Sequence, residues 1–153
     1  MKTSCGVIII NEFNELFMGH STGNKFYDIP KGLLDEGENE LACAIRECKE
    51  ETSIDLSNKN LEVIGLYPYN KEKNLYLFLV SMKKQDIDLN TLVCNSFFED
   101  YYTKKLKPEV DEFKWISVKN VKENCAKSMG VLLEKLIEKN IIQYKDTNNK
   151  PKI

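Results

Sequence analysis

An uninterrupted run of good helix formers from residue 39 to residue 52 constrains the fold more than any other part of the chain. Its apolar side chains recur at the spacing of one face of an α-helix, so other parts of the protein must cover that face. These apolar residues are Leu41, Ala44, Ile45 and Cys48. The run therefore predicts an amphipathic helix that packs against a core.

Segments rich in β-branched and aromatic residues lie on both sides of this helix and predict strands or short extended pieces. They cover residues 3–11, 15–20, 27–30, 61–69, 75–82 and 112–117. The polar residues 11–14 and 70–74 are predicted to form turns that close two hairpins. A second helix is predicted near the C-terminal end from the spacing of Ala126, Met129, Leu132, Leu133, Leu136 and Ile137. Pattern alone gives the α+β class.

Three further segments are predicted to be irregular. Residues 32–37 are expected to form a loop before the helix, residues 83–108 a long loop that could carry function, and residues 145–153 a disordered tail. The chain of 153 residues has the size of one ordinary domain. We therefore predict a single domain over residues 1–144.

The composition excludes several classes of protein. With 42% hydrophobic and 30% charged residues the chain is typical of soluble globular proteins, and no apolar run approaches the roughly 20 residues that span a bilayer. The short apolar stretch near the N-terminus is typical of a first strand and not of a signal peptide, so we expect a cytoplasmic protein without a membrane partner. A net charge of −2 gives no general attraction to nucleic acid, so any polyanionic substrate must be held by local groups.

The cysteines and the histidine argue against two kinds of stabilising site. Five cysteines without a Cys-x-x-Cys pair and a single histidine, His20, support neither a disulfide framework nor a zinc site. We expect the thiols to be reduced and buried. His20 lies in a strand-like segment without an obvious partner, and no role is predicted for it.

Three glutamates of the predicted helix form an acidic cluster. Glu47, Glu50 and Glu51 are spaced i, i+3 and i+4, so they lie within an arc of about 100° on one helix face. Such close like charges repel one another unless a cation lies among them, and a hard divalent ion such as Mg²⁺ accepts carboxylate oxygens. The alternative is a solvated acidic face, which is far commoner among proteins.

The cluster belongs to a longer pattern. Gly32 is followed after five residues by Glu38, and Glu38 after seven residues by the sequence Arg46-Glu-Cys-Lys-Glu-Glu-Thr-Ser-Ile54. This pattern resembles the Nudix box, the signature of the Nudix hydrolases, at six of its seven fixed residues. The departure is Ser53, where the family usually has glycine at the left-handed end of the helix. Arg46 is the only arginine beside 21 lysines and stands at the arginine position of the box.

The resemblance implies a metal-dependent site. Glu47, Glu50 and Glu51 would bind Mg²⁺, with Mn²⁺ as an alternative, and the backbone carbonyl of Lys31 would be a further ligand. Arg46 would orient the glutamates, because a guanidinium holds a carboxylate by two hydrogen bonds. Which glutamate activates the water, and how many metal ions bind, stay open.

Residues outside the helix would complete the site. Gly32 and Glu38 would support the loop of the box. Glu109, six residues before Trp115, would be an additional metal ligand or the catalytic base, but Asp111 and Glu112 compete for that role.

The resemblance also implies the fold and the reaction. The fold would be the Nudix α/β/α sandwich, with a mixed sheet between the box helix and the C-terminal helix. The reaction would be hydrolysis of a pyrophosphate bond in a nucleoside diphosphate linked to another group. The Tyr-Asp-Ile-Pro-Lys-Gly sequence of residues 27–32 is similar to the diadenosine tetraphosphate hydrolase and decapping branches.

That entry sequence favours a dinucleoside polyphosphate or a 5′-triphosphorylated end. Nucleoside triphosphates and ADP-ribose are alternatives, and a small nucleotide is favoured over an RNA 5′ end. A non-catalytic Nudix-fold nucleotide-binding module is the alternative of another class, and both a monomer and a homodimer are compatible with the sequence. Candidates for binding the substrate by stacking or by charge are Tyr67, Tyr69, Phe97, Phe98, Tyr101, Tyr102, Lys104, Lys105 and Lys107.

Overall fold

The computed structural model describes residues 1–146 and contains one mixed sheet, a separate two-stranded hairpin and helices on both faces of the sheet. The strands are β1 (Lys2–Ile10), β2 (Glu15–Ser21), β3 (Tyr27–Asp28), β4 (Lys31–Leu33), β5 (Glu62–Pro68), β6 (Lys73–Ser81), β7 (Phe97–Glu99), β8 (Leu106–Pro108) and β9 (Val110–Ser117). The helices are α1 (Glu40–Thr52), α2 (Val121–Asn124) and α3 (Lys127–Glu138), with 3₁₀ turns at Lys84–Asp86, Leu89–Thr91 and Val118–Asn120.

Strand β1 is the centre of the sheet. One edge of it pairs in parallel with β6, and β5 continues the sheet by an antiparallel pairing with β6. Its other edge is shared, because β4 pairs with its first half and β2 with its end, both antiparallel. Strand β2 in turn pairs antiparallel with β3 and β9. This arrangement brings β4 and β9, which carry candidate site residues, to the same region of the sheet.

Two hydrophobic layers cover the two faces of the sheet. Ile8 and Ile10 of β1 pack toward α3, whereas the alternate residues Val7 and Ile9 pack toward α1, as the two-residue period of a strand requires. The buried contacts from the helices are Cys43, Ala44 and Cys48 of α1 and Met129, Leu133 and Leu136 of α3. The three-layer sandwich with a mixed sheet between the two helices is therefore confirmed.

Helix α1 has a defined cap at each end. The side chain of Asn39 accepts a hydrogen bond from the amide of Ala42 at 2.8 Å, which satisfies one of the free donors of the first turn. At the other end Ser53 adopts the left-handed conformation (φ 66°), and its amide donates to the carbonyl of Lys49. These caps fix the start and the end of the helix that carries the acidic cluster.

The structure corrects two predicted loops. Part of the segment 32–37 belongs to β4, where Gly32 pairs with Cys5. The segment 83–108 holds two 3₁₀ turns and the β7–β8 hairpin and is not one long loop. The two strands of this hairpin have only three residues each, too few to show a strand pattern in the sequence.

The thiols are buried as expected, and most of the predicted tail falls outside the described residues. All five cysteines are free and buried. No helix within residues 1–146 is long and apolar enough to cross a membrane. Most of the predicted disordered tail, residues 147–153, lies outside the described residues, whereas the Lys145 amide donates to the Ser81 hydroxyl.

Candidate functional site

The only arginine organises the acidic residues of the box. The Arg46 guanidinium donates two hydrogen bonds to Glu38, from Nε at 2.7 Å and from Nη2 at 2.9 Å. Its Nη1 donates to Glu47 at 2.8 Å and to Glu50 at 3.3 Å, and Nη2 also donates to the carbonyl of Leu33 at 3.2 Å. One rigid cation therefore holds three carboxylates and the β4 strand in a fixed arrangement.

Glu38 supports this arrangement from the loop. Its carboxylate accepts the two bonds from Arg46 and a third from the Asp35 amide at 3.1 Å. The hydrogen bonds from Arg46 lower the pKa of Glu38 to about 2. Glu38 therefore stays ionised and holds both the loop and the arginine, as the expectation of loop support requires.

Gly32 makes room for Glu47. A Cβ atom on Gly32 would overlap the carboxylate of Glu47, so the helix side chain lies directly against the backbone of β4. The Glu47 side chain is only 13% exposed, whereas that of Glu50 is 43% exposed. Burial raises the pKa of Glu47, although Arg46 acts in the opposite direction.

Glu51 faces the same strand from one turn further along α1. Its Oε1 accepts a hydrogen bond from the Lys31 amide at 3.0 Å. Burial raises the pKa of Glu51 to about 8, against that bond, and the nearby charges of Glu47 and Glu109 raise it further. Three carboxylates from α1 and from the segment before β9 are thus close enough to repel one another.

Two of these carboxylates, Glu51 and Glu109, line a pocket of about 350 Å³. Strands β2, β3, β4 and β9, helix α1 and the β7–β8 hairpin all contribute to its walls. Four of the residues that the sequence analysis names as candidates line the pocket, namely Lys31, Glu51, Phe98 and Glu109. The other lining residues are Gly19, Ser21, Thr22, Asn24, Asp28, Ile29, Pro30, Thr52 and Val110.

Sequence reasoning missed two polar features of this pocket. Asp28 and Lys31 form an ion pair with Nζ and Oδ2 3.1 Å apart. Among residues 1–146, the buried hydroxyl of Thr22 is a side-chain oxygen without a hydrogen-bond partner. The i, i+3 spacing of Asp28 and Lys31 was a signal for the pair, whereas Thr22 enters the pocket only through the pairing of β2 with β9.

The three competing acids near β9 have different surroundings. Glu109 lines the pocket with Glu51. Asp111 is 2.6 Å from Nδ1 of His20, and Glu112 accepts a hydrogen bond from the Tyr27 hydroxyl at 2.9 Å. The structure therefore brings Glu109 to the helix carboxylates and engages the other two elsewhere. The expectation that His20 has no partner is wrong, because Asp111 approaches it from a strand that is 91 positions away in the chain.

The candidate metal ligands fit a divalent cation only in part as they stand. Within residues 1–146 no three acidic, histidine or cysteine side chains already form a group that could hold a metal ion. Glu47 and Glu50 are turned toward Arg46, and Glu51 toward the Lys31 amide. The donor set nevertheless suits Mg²⁺, which binds to few carboxylates and keeps several waters, and Gly32 leaves the space in which the Glu47 carboxylate lies.

Several candidates for binding the substrate lie outside this pocket. Tyr67 and Tyr69 line a separate groove of about 380 Å³ beside α3, although the Tyr69 ring is also 6.0 Å from Nζ of Lys31. Phe97, Tyr101 and Lys104 belong to the hairpin and do not line the pocket. Phe98, which alternates with Phe97 along β7, is the aromatic residue that reaches it.

Comparisons with known proteins agree with this geometry. The family model described as "NUDIX domain" matches residues 2–136. An RNA pyrophosphohydrolase of Pelagibacter ubique is 31% identical over 129 residues, which are 79% of this chain and 79% of that protein. An uncharacterised 17.7 kDa protein of Enterobacteria phage T4 is 35% identical over 123 residues, which are 74% of this chain and 81% of that protein.

The solved structures support the same fold. An Ap4A hydrolase of C. elegans, in a binary complex, superposes with a TM-score of 0.63 at 22% identity and covers 90% of this chain and 98% of that chain. At that identity the likeness concerns the fold alone.

Proposed function

The chain belongs to the Nudix family of pyrophosphohydrolases, and from that premise we propose that it hydrolyses a phosphoanhydride bond in a nucleoside diphosphate linked to another group, with Mg²⁺ as cofactor. Mn²⁺ is the alternative ion. The observation that carries the proposal is the fixed arrangement of the three helix glutamates beside β4. Arg46 holds Glu47 and Glu50, with Glu47 against the glycine of β4. The Lys31 amide holds Glu51 at the wall of an open pocket. A solvated acidic helix face would need neither the buried Glu47 nor the glycine that accommodates it.

The helix carboxylates and β4 would hold the metal. Glu47 and Glu51 are the buried members of the set, Glu50 is the more exposed one, and the carbonyl of Lys31 lies at the start of β4. When bound, Mg²⁺ supplies positive charge that polarises the phosphate oxygens and stabilises charge developing during hydrolysis.

The protein's own residues position the substrate and a water molecule. Arg46 and Glu38 keep the acidic residues in place, so that little rearrangement is needed during the reaction. Lys31 and the Thr22 hydroxyl offer donors inside the pocket to phosphate oxygens. Glu109 and the helix glutamates are the candidates for accepting the proton of the attacking water.

The relatives, more than the box, support the choice of a substrate class. An RNA pyrophosphohydrolase is among the relatives, with 31% identity over 79% of this chain. We therefore place a 5′-triphosphorylated RNA end first and a dinucleoside polyphosphate second, ahead of free nucleoside triphosphates and ADP-ribose. This order reverses the preference for a small nucleotide that the sequence alone had given.

A substrate panel tests the proposal. Triphosphorylated RNA, dinucleoside polyphosphates, nucleoside triphosphates and ADP-ribose are incubated with Mg²⁺ or Mn²⁺, and nucleotide products, phosphate and pyrophosphate are measured. We expect metal-dependent hydrolysis of at least one substrate, and Glu50→Gln should lower its turnover by at least about 10²-fold, a size typical of lost catalytic groups. Glu134→Gln on α3 is the matched control and should keep wild-type turnover. Metal-dependent binding without hydrolysis of any substrate would indicate a nucleotide-binding module instead.

A further inference from the structure

The β7–β8 hairpin forms a small sheet of its own beside the pocket. Its three residue pairs join Phe97 to Pro108, Phe98 to Lys107 and Glu99 to Leu106, and neither strand pairs with the main sheet. The turn between the strands is closed by a hydrogen bond from the Asp100 amide to the Lys105 carbonyl at 2.9 Å. The hairpin therefore forms a separate two-stranded unit beside the pocket, which we call the arm.

The base of the arm is tied to the catalytic helix. The amide of Asn95 donates to the carbonyl of Glu50 at 2.6 Å, and the amide of Val93 donates to the Ser53 hydroxyl at 3.1 Å. On the other side the Glu109 amide donates to the carbonyl of Ser96 at 2.8 Å. The arm therefore has a fixed position relative to the acidic residues, although its tip makes few contacts.

One face of the arm continues the wall of the pocket. Phe98 lines the pocket, and Lys107 is its direct partner on the opposite strand, so both side chains lie on the same face. The Lys107 ammonium group lies 2.7 Å from Asp100, one step nearer the tip. A chain leaving the pocket along this face would pass the Phe98 ring beside the ion pair of Lys107 and Asp100.

The tip combines exposed aromatic rings with positive charge. Tyr101 and Tyr102 are 77% and 89% exposed, and their rings meet edge to face with centroids 5.2 Å apart. Lys104 lies over the Tyr101 ring at 4.8 Å, and residues 101–107 contain three lysines and no acidic residue. In residues 1–146 neither Lys104 nor Lys105 forms an ion pair with a carboxylate. Exposed tyrosine rings beside lysines without ion-pair partners offer a stacking surface and positive charge to a ligand.

We propose that this arm binds single-stranded RNA, namely the nucleotides that follow the 5′ phosphates in the pocket. Bases stack on exposed tyrosine rings with little sequence preference, and lysines contact the backbone phosphates. The inference rests on the proposed function, because it assumes that the 5′ phosphates lie beside α1.

The arm distinguishes this ligand from a mononucleotide. The pocket of about 350 Å³ has the volume of a site for one small ligand, so a mononucleotide would leave the tip unused. The chain carries a net charge of −2, so attraction for a polyanion must come from a local cluster such as residues 101–107. A polynucleotide uses both the pocket and the tip.

Equilibrium binding to an inactive protein tests the inference. The Glu50→Gln variant is titrated, in Mg²⁺, against fluorescein-labelled 5′-triphosphorylated RNA of six nucleotides and against a labelled nucleoside triphosphate, with anisotropy as the readout. Adding Tyr101→Ala and Tyr102→Ala should lower the ratio of the RNA affinity to the mononucleotide affinity by at least about tenfold, because each base–aromatic stack is lost. Phe13→Ala, another exposed aromatic residue, is the matched control and should keep the ratio.

The lysines give an independent readout. Lys104→Gln with Lys105→Gln should reduce the slope of log affinity against log salt by about 1.4, since each phosphate contact contributes about 0.7 for single strands. Lys59→Gln, in an exposed loop, should leave the slope unchanged. A melting temperature close to that of the parent shows that each variant is folded.

The outcomes separate the two proposals. If mononucleotides are hydrolysed and the tip variants keep their RNA affinity, the arm does not bind RNA and the proposed function stays intact. If no substrate is hydrolysed but RNA binding depends on the tip, the arm binds RNA and the proposed function is wrong. A tip that instead controls the sedimentation coefficient of the protein would be a self-association surface, which also contradicts RNA binding by the arm.

Discussion

The carboxylate of Glu47 occupies the space in which a side chain on Gly32 would begin. These two residues lie 15 positions apart, on α1 and on β4, and the contact joins helix to strand at the centre of the candidate metal site. The glycine of the box is therefore required by a close approach, and a left-handed conformation is not the reason for it.

Gly32→Ala should abolish most of the activity with a smaller effect on folding. The added methyl group displaces the Glu47 carboxylate, which is held on its other side by Arg46 and cannot move without breaking that bond. We expect turnover to fall by at least about 10²-fold, comparable to the loss of a positioned catalytic group. Steady-state kinetics with Mg²⁺ measure this. Gly65→Ala on β5, where the added Cβ meets no atom within 4 Å but the φ of 123° is strained, is the control for backbone strain away from the site. Turnover within threefold of wild type would show that Glu47 does not need its present position.

Glu109→Gln and Glu112→Gln separate the two acids that sequence alone could not distinguish. Glu109 lines the pocket beside Glu51, whereas Glu112 accepts a hydrogen bond from Tyr27. We expect Glu109→Gln to lower kcat by at least about tenfold, as a metal ligand or base should, and Glu112→Gln to keep most of it. The initial rates of the two purified variants, compared at saturating substrate, decide between them. A larger loss of kcat in Glu112→Gln than in Glu109→Gln would show that Glu112 is the metal ligand or base.

Ser53 shows how this chain tolerates the one departure from the box. Its left-handed conformation (φ 66°) is costly for a residue with a Cβ, but its hydroxyl accepts a hydrogen bond from the Val93 amide. Ser53→Gly removes the strain and the bond together, so the free energy of unfolding should change by less than about 1 kcal/mol. Ser53→Ala keeps the strain and loses the bond, and it should destabilise by about 1 kcal/mol.

Urea denaturation of the two variants measures these changes. In both of them, hydrogen exchange at the Val93 amide should be faster than in the wild type, because its acceptor is gone. A gain well above 1 kcal/mol for Ser53→Gly would show that the hydroxyl contributes nothing to stability.

The sequence predicts the layers of this fold better than it predicts the pocket. The helix of residues 39–52 and the long strands were readable, because an apolar period persists over several turns or residue pairs. The role of Arg46 was also readable, since a lone arginine among lysines indicates a need for a bidentate donor. Short strands such as β7 and β8 have too few residues for a period, so the hairpin was taken for a loop.

Residues brought together by long-range pairing could not be predicted. Asp111 meets His20, and Glu109 meets the helix carboxylates, only because β9 pairs with β2 in one register. A shift of that register by one residue would exchange the side chains on the two faces of the strand. Spacing along the chain favours Glu109 but carries no information about that register, and this is why the sequence alone leaves Asp111 and Glu112 as competitors.

Two carboxyls with strongly shifted pKa values, Glu51 and Glu38, should make the metal-free protein respond to pH in opposite directions. Burial raises the pKa of Glu51 to about 8, so its contribution to stability is fully present below about 4.5 and is lost as pH rises through about 8. Arg46 lowers the pKa of Glu38 to about 2, so its contribution is present above about 4.5 and is lost as pH falls through about 2.

In EDTA, Glu51→Gln should therefore melt at a higher temperature than wild type at pH 8, and the difference should shrink toward pH 5. The gain should amount to a few degrees, since ~1 kcal/mol shifts Tm by about 2–4 °C in a chain of this size. Glu38→Gln should melt lower than wild type at pH 7 and approach it at pH 3. Differential scanning calorimetry across pH 3–9 measures both series.

Excess Mg²⁺ should raise the Tm of the wild type above that of Glu51→Gln. Only the wild type has the Glu51 carboxylate as a ligand, and binding of the ion stabilises the folded protein. A Glu51→Gln variant that melts below the wild type in EDTA at pH 8 would show that Glu51 is not held in an environment that disfavours its charge. If Mg²⁺ raises the Tm of this variant as much as it raises that of the wild type, Glu51 is not a ligand of the metal ion.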